Sequence, residues 1–251
     1  MDNISLLKRR LTDTAKRAYS QGNYTYSSFL SMSEIAIYKT MSKELEFIKS
    51  DTFGGYPNAE RQVIQFGDST EFGYVGTYPI DVIKVEPLSA KFSQNLTHRD
   101  YLGAILNLGI ERHLIGDIII RENEAYVFCL KRISEFIIDN LDTIKHTHVK
   151  CSLSWAPLEI LRPNFEELDV IAASPRIDAV VSALTNKSRS AVVELFKTGK
   201  IFVNSFSCQD HSKQLKEGDI LVIRHVGKFI YDGSGNETRS GRVYVHMRKY
   251  V

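Results

Sequence analysis

With 251 residues, 43% of them hydrophobic and 25% charged, the chain has the composition of a soluble globular protein with room for two or three small domains. No apolar run approaches the length of a membrane span, because Ile118-Ile119-Ile120 is soon broken by charge, and the Lys- and Arg-rich N-terminus lacks the apolar stretch of a secretory signal. Cys129, Cys151 and Cys208 are widely spaced and odd in number. They exclude a disulfide framework or a zinc site and suit a reducing cytosol.

In chain order, the first section runs to residue 78. It predicts helices over Ser5–Ser20, Ser27–Lys39 and Ser42–Ser50, then a Gly- and Tyr-rich piece that includes Phe53-Gly54-Gly55-Tyr56. That piece reads as a tight turn whose Phe53 and Tyr56 fill the core. The second section, 79–165, alternates element types. Strand patterns lie over Ile80–Leu88, Asp117–Arg121, Glu124–Leu130 and Thr147–Trp155, with helices over Thr97–Leu108 and Lys131–Leu141. That order is β-α-β-β-α-β, the ferredoxin-like arrangement shared by many RNA-binding sheets, and the fold class is α+β. Tyr126 and Phe128 share one strand face, as base-stacking aromatics do. No basic or glycine signature surrounds them, so packing against the helices is expected instead. Residues 157–174, with Pro163 and Glu166-Glu167, read as a linker.

The third section, 172–251, carries the most information. Ser174 and Pro175 suit the start of a helix whose Ile177, Val180, Val181 and Leu184 make one apolar face. Ser188 suits the cap of a second helix, with Val192, Leu195 and Phe196 buried and Gly199 as its stop. Strands follow at Ile201–Asn204 and Ile220–Arg224. The leftover polar residues are mostly basic: Arg176, Lys187, Arg189, Lys197 and Lys200. A net charge of +2 hides an asymmetry, since residues 172–251 hold 13 Lys and Arg against 7 Asp and Glu, or +6, while the first 171 hold 19 against 23, or −4. A local positive field next to a helix N-terminus is what phosphate binding needs.

Four pieces in order, Arg176-Ile177-Asp178, Ser188-Arg189-Ser190, Gly199-Lys200-Ile201-Phe202-Val203-Asn204 and Leu215-Lys216-Glu217-Gly218-Asp219, resemble the alpha-L RNA-binding domain known from a ribosomal small-subunit protein. A wider resemblance, to the bacterial YlmH family, rests on Phe53-Gly54-Gly55-Tyr56, Asn58-Ala59-Glu60-Arg61, the run His98–Ile110 and Gly116-Asp117-Ile118. These resemblances imply a cytoplasmic factor that grips structured RNA on the large ribosomal subunit, rRNA first and tRNA as a further partner. They also imply a role in rescuing subunits blocked by peptidyl-tRNA or in cell division, and division proteins as further partners. RNA contact is then expected from Arg176, Lys187, Ser188, Arg189, Ser190, Lys197, Lys200 and Asn204. Lys213, Lys228, Arg239 and Arg242 would widen the footprint. A monomer without membrane insertion is expected.

Catalytic signatures do not complete themselves. His98-Arg99-Asp100 has Ile105 where a kinase loop has Asn, and no nucleotide loop accompanies it. Glu194 stands where a P-loop before Gly199-Lys200 needs glycine. Gly233-Ser234-Gly235 reads as a hairpin tip. His146 and His148 lack a third metal ligand. A non-catalytic protein with no cofactor or metal is expected. The alternatives left open are an RNA-modifying enzyme of the pseudouridine synthase or methyltransferase kind, and a cell-division adaptor.

Overall fold

The computed structural model describes residues 3–57, 59–89, 95–155, 161, 165–204 and 206–250. Asn58, Pro157 and Pro163 of the sequence reading lie outside them. The protein is an α+β chain that divides into two compact units, Met1–Arg162 and Pro163–Val251.

The first unit opens with helix α1, Asn3–Gln21, whose Leu7, Leu11, Thr14, Ala15 and Ala18 are buried at three- and four-residue spacing. Helix α2, Met32–Lys39, starts on a capping box. There the Ser31 N–H donates to Glu34 Oε2 at 2.7 Å and the Glu34 N–H to Ser31 Oγ at 3.4 Å. Sequence patterning predicts this helix from Ser27, but the preceding residues are drawn into sheet. Strand β1, Thr25–Tyr26, pairs with β3, Val63–Phe66, which also pairs with β2, Ser50–Phe53. The helix expected over Ser42–Ser50 is a series of turns. Met41, Leu45 and Ile48 are buried at helical spacing, but the chain straightens into β2 at Ser50, so the apolar period serves a turn rather than a helix. A one-turn helix α3, Ser69–Phe72, capped by Asp68, completes this part.

The middle strands are β4 Ile80–Pro87, β5 Ile115–Arg121, β6 Glu124–Leu130, β7 Thr143–Ile144 and β8 Thr147–Ser154, hydrogen-bonded in the order β5-β6-β4-β8-β7, all antiparallel. Helices α4, His98–Asn107, and α5, Ser134–Asn140, occur at the expected places. Tyr101, Ile105 and Ile137 belong to one core cluster with Ile83, Val85, Val127 and Cys129 from one sheet face. The other face bears Tyr126 and Phe128, 6% and 0% exposed. Their burial agrees with expectation, but the partners differ. Phe128 and Leu130 pack with Phe29 and Val63 of the first section, joined by Tyr26, Tyr56 and Tyr78. The period of two fixes which residues share a face; it does not say which segment covers them.

That cover is specific. Gly55 has φ +101°, and a Cβ there would sit 2.4 Å from Phe128 Cδ1, so the position takes only glycine on both counts. Tyr56 lies 5.0 Å from the Phe128 ring, centroid to centroid. Its hydroxyl donates to Asp117 Oδ2 at 2.7 Å, and the Glu60 and Arg61 N–H groups reach the same carboxylate at 2.7 and 3.1 Å. Burial pushes the Asp117 carboxyl above its ordinary value, and the Tyr56 hydrogen bond opposes this. The Arg61 side chain donates to the Ile115 and Phe29 carbonyls. Phe53, expected in the core, is 37% exposed at the sheet edge against Tyr78.

The second unit is a six-stranded antiparallel sheet with two helices. Its strands are β9 Phe165–Ala172, β10 Ile201–Val203, β11 Phe206–Ser207, β12 Ile220–Ile223, β13 Gly227–Glu237 and β14 Val243–Tyr250, in the order β11-β10-β12-β13-β14-β9. Residues 165–172, part of the stretch read as linker, form an eight-residue ladder with β14. Glu166 and Glu167 look linker-like because they stand on an edge strand, opposite Lys249 and Arg248. Gly233 and Gly235 lie within β13 rather than at the hairpin tip. Register shifts near Tyr231–Gly233 and Ser234–Glu237 bend the strand there, and the turn falls at Thr238–Gly241.

A candidate nucleic-acid interface in the second unit

Helices α6, Ile177–Thr185, and α7, Arg189–Lys197, bury Ile177, Val180, Val181, Val192 and Phe196 in one cluster with Leu221, Ile223, Phe229, Val245 and Met247 of the sheet. Their tight connection needs Asn186 in the left-handed region at φ +53°, which asparagine tolerates. The Ser182 hydroxyl fastens it, donating to the Lys187 carbonyl at 2.7 Å. Ser188 caps α7, accepting from the Ala191 N–H at 3.4 Å, and its hydroxyl lies 3.1 Å from that of Ser190. Gly199, at φ +62°, follows the end of the helix. The cap of α6 is Arg176 rather than Ser174, whose Oγ accepts from the Arg176 N–H.

A cleft of about 580 Å³ opens beside this connection, walled by the end of β9, the α6 surface and the start of α7. Four basic residues line it from separate places in the chain: Arg176, Lys187, Arg189 and Arg242. Asp178 is the one acidic residue among its lining. It holds Arg176 in a two-pronged pair, Nε to Oδ1 at 3.2 Å and Nη2 to Oδ2 at 2.9 Å, and Arg176 also reaches Ser212 Oγ at 3.3 Å. Arg176 therefore has much of its donor capacity committed. Lys187 and Arg189 are exposed, as is Arg242 at the β13–β14 turn, and among the described residues none of the three has an ion-pair partner.

The other expected contacts are distributed differently. Lys197 borders a separate hollow with Phe196 and His211. Lys200 is half-buried at the start of β10, and Lys213 lies on the loop whose carbonyl accepts from the Ile177 N–H. Lys228 sits over the Tyr250 ring at 4.3 Å, and Arg239 is exposed in the 238–241 turn. None of these five lines the cleft. Asn204 is engaged within the fold: its Nδ2 donates to Asp219 Oδ1 at 2.7 Å and its Oδ1 accepts from the Ile220 N–H at 2.9 Å. Asp219, 9% exposed, also accepts from the Lys216 N–H. Asn204 thus clamps the turn that leads into β12, which explains its place in the motif without RNA. Arg224, which the sequence marks only as a strand end, stacks over Phe202 at 5.0 Å. The two residues are 22 apart, so no local pattern could have paired them.

The middle sheet offers a contrast. Its uncovered part carries Lys84 between Glu86 and Glu124, at 2.7 and 2.9 Å. These neighbours raise the Lys84 pKa, and Lys84 lowers that of Glu86. Asp100, of the His98-Arg99-Asp100 run, joins the capping box of α4 and pairs with Lys145 at 2.8 Å, which holds its pKa down at about 2. It is a structural group. Among the described residues no cluster of three metal-ligating side chains occurs, and no helix is long and apolar enough to cross a membrane.

Residues 76–156 match the family model described as "Putative RNA-binding domain in YlmH". Over that stretch the chain resembles the YlmH proteins. It is 27% identical over 180 residues to "Ribosome-associated protein quality control protein P2" of Bacillus subtilis (strain 168), a match that covers 70% of this chain and 68% of that one. It is also similar to a solved structure, "Cell division protein ylmH from Streptococcus pneumoniae", at 18% identity and a TM-score of 0.49, covering 60% of this chain and 90% of that one. The YlmH-type stretch takes in the whole of the middle sheet, whereas the basic cleft lies beyond it.

Proposed function

We propose that this chain is a non-catalytic, cytoplasmic RNA-binding factor that docks on the large ribosomal subunit and meets rRNA, with a tRNA held there, during quality control of stalled synthesis. In this reading residues 79–165 form an RRM-like, ferredoxin-like domain and residues 172–251 an alpha-L domain. The observation that carries it is the gathering of Arg176, Lys187, Arg189 and Arg242 around one cleft at the start of a capped helix. Among the described residues Lys187, Arg189 and Arg242 have no ion pair to break before meeting a phosphate, and the α7 N-terminus adds its own positive end. The ribosome-associated relative supports the same direction.

The test is co-sedimentation with purified large subunits. Lys187→Ala, Arg189→Ala and Arg242→Ala together remove three exposed cations that hold no structural bond through their charged ends, so the fold survives. The expected result is a loss of roughly tenfold or more in affinity near physiological salt. Undiminished co-sedimentation of a folded triple variant would overturn the reading.

A further inference from the structure

The first unit is close to neutral as a whole, with 19 Lys and Arg against 20 Asp and Glu, yet its opening helix is not: five of the six charged residues of α1, namely Lys8, Arg9, Arg10, Lys16 and Arg17, are basic. At 3.6 residues per turn, Arg9, Arg10, Lys16 and Arg17 fall within one arc of about 120°, roughly opposite the buried Leu7, Leu11 and Ala18. All four are exposed. Internal compensation is weak. Arg9 reaches Asp13 only at 3.9 Å, with both side chains mostly in solvent, and Lys8 reaches Glu44 at 3.8 Å. Among the described residues, Arg10, Lys16 and Arg17 have no ion pair. Beside this arc runs a groove of about 290 Å³ bordered by Arg10, Arg17, Tyr26, Ser27 and Ser28, with Asp13 as its one acidic residue.

We propose that the exposed face of α1, with this groove, is a second RNA-contacting surface that grips backbone phosphates independently of the C-terminal cleft. Repetition at i and i+7, Arg9 with Lys16 and Arg10 with Arg17, sets two pairs of cations about 10 Å apart along the helix, a span of several backbone phosphates. A lipid surface fits less well, because membrane-surface helices present a continuous apolar side; here Leu7, Leu11, Ala15 and Ala18 are already in the core, and the exposed Ile4, Leu6 and Tyr19 point in different directions around the helix. The proposal takes from the reading above only that the ligand is RNA, and it stands on different residues.

The experiment uses the full chain and deproteinised large-subunit rRNA as the probe, with vesicles of anionic and neutral phospholipid as a second arm. Arg9→Ala, Arg10→Ala, Lys16→Ala and Arg17→Ala are combined; alanine favours a helix, and thermal unfolding checks that the fold is kept. The expected result is a loss of roughly tenfold in rRNA affinity and a flatter dependence on salt, additive with the effect of the cleft variant. An α1 variant that binds rRNA like the parent overturns this proposal, whatever the cleft variant does. A cleft variant that binds like the parent, while the α1 variant is weakened, counts against the cleft reading alone. Vesicle binding that depends on α1, with rRNA binding unchanged, overturns the RNA assignment.

Discussion

The middle sheet and the C-terminal cleft differ in how their polar groups are spent. On the sheet face that displays Tyr126 and Phe128, aromatic rings from the first section cover the apolar positions, and Lys84 is held between Glu86 and Glu124, a group with one net negative charge. In the cleft, Arg176 is held by Asp178, while Lys187, Arg189 and Arg242 are exposed and without ion pairs among the described residues. Desolvating a charge that is already paired gains little, whereas an unpaired surface cation can exchange small counterions for a polyanion. On the reading proposed above, free charge rather than fold marks where RNA would sit.

The largest effect should come from uncovering the sheet. Phe128→Ala removes a fully buried ring beneath Gly55 and Tyr56 and should cost about 3–5 kcal/mol of stability, read by urea unfolding. RNA affinity per folded molecule should stay unchanged; if it falls in parallel, the covered face is more than a packing surface. Next, Asp117→Ala leaves the Tyr56 hydroxyl and the Glu60 and Arg61 N–H groups without their acceptor, at a cost of about 1–3 kcal/mol for each group left unpaired and out of water's reach.

A smaller, pH-dependent effect belongs to His98. Partial loss of hydration beside the first section, then the Arg112 charge, lower its pKa, and Asp117 and Glu60 oppose them; because the residue is exposed, solvent screens the effect and keeps it small. A lowered folded-state value means that the unfolded chain takes up the proton first. The stability contributed by neutral His98 is therefore full above the unfolded value of about 6.5 and is lost as pH falls below it toward the folded value. His98→Gln should flatten that part of the stability–pH curve, and an unchanged slope would place the titration elsewhere. The smallest effect concerns the thiols. Cys129 and Cys151, free and buried, have pKa values pushed up to about 12 and about 11, and that of Cys208 is raised as well. Native protein should react slowly with a thiol reagent at neutral pH, and unfolded protein quickly.

Local signals were legible where one element carries its own period and caps. Helix α4 with Thr97 and Asp100, strand β6 over Glu124–Leu130, and α7 with Ser188 and Gly199 lie where the sequence puts them. Long-range partners were not. Nothing near Phe128 says that Gly55 and Tyr56 cover it. Nothing near Glu166 says that β9 will pair with β14, because an edge strand with polar residues has the composition of a linker. Likewise Arg242 joins Arg189 only through the return of the β13–β14 hairpin, so sequence supplied the cations but not their grouping. Asn204 carries a role that the sequence did not announce: its amide is bound to Asp219 and Ile220 and holds a turn.

The most direct measurement is the salt dependence of RNA binding by the full chain and by its Arg189→Ala, Arg242→Ala variant. Two lost phosphate contacts should flatten the plot of log affinity against log salt by between about 1.4 and 1.8, the range between single-stranded and duplex nucleic acid. Parallel lines for a folded variant would mean that these cations do not meet the RNA, and would contradict the account.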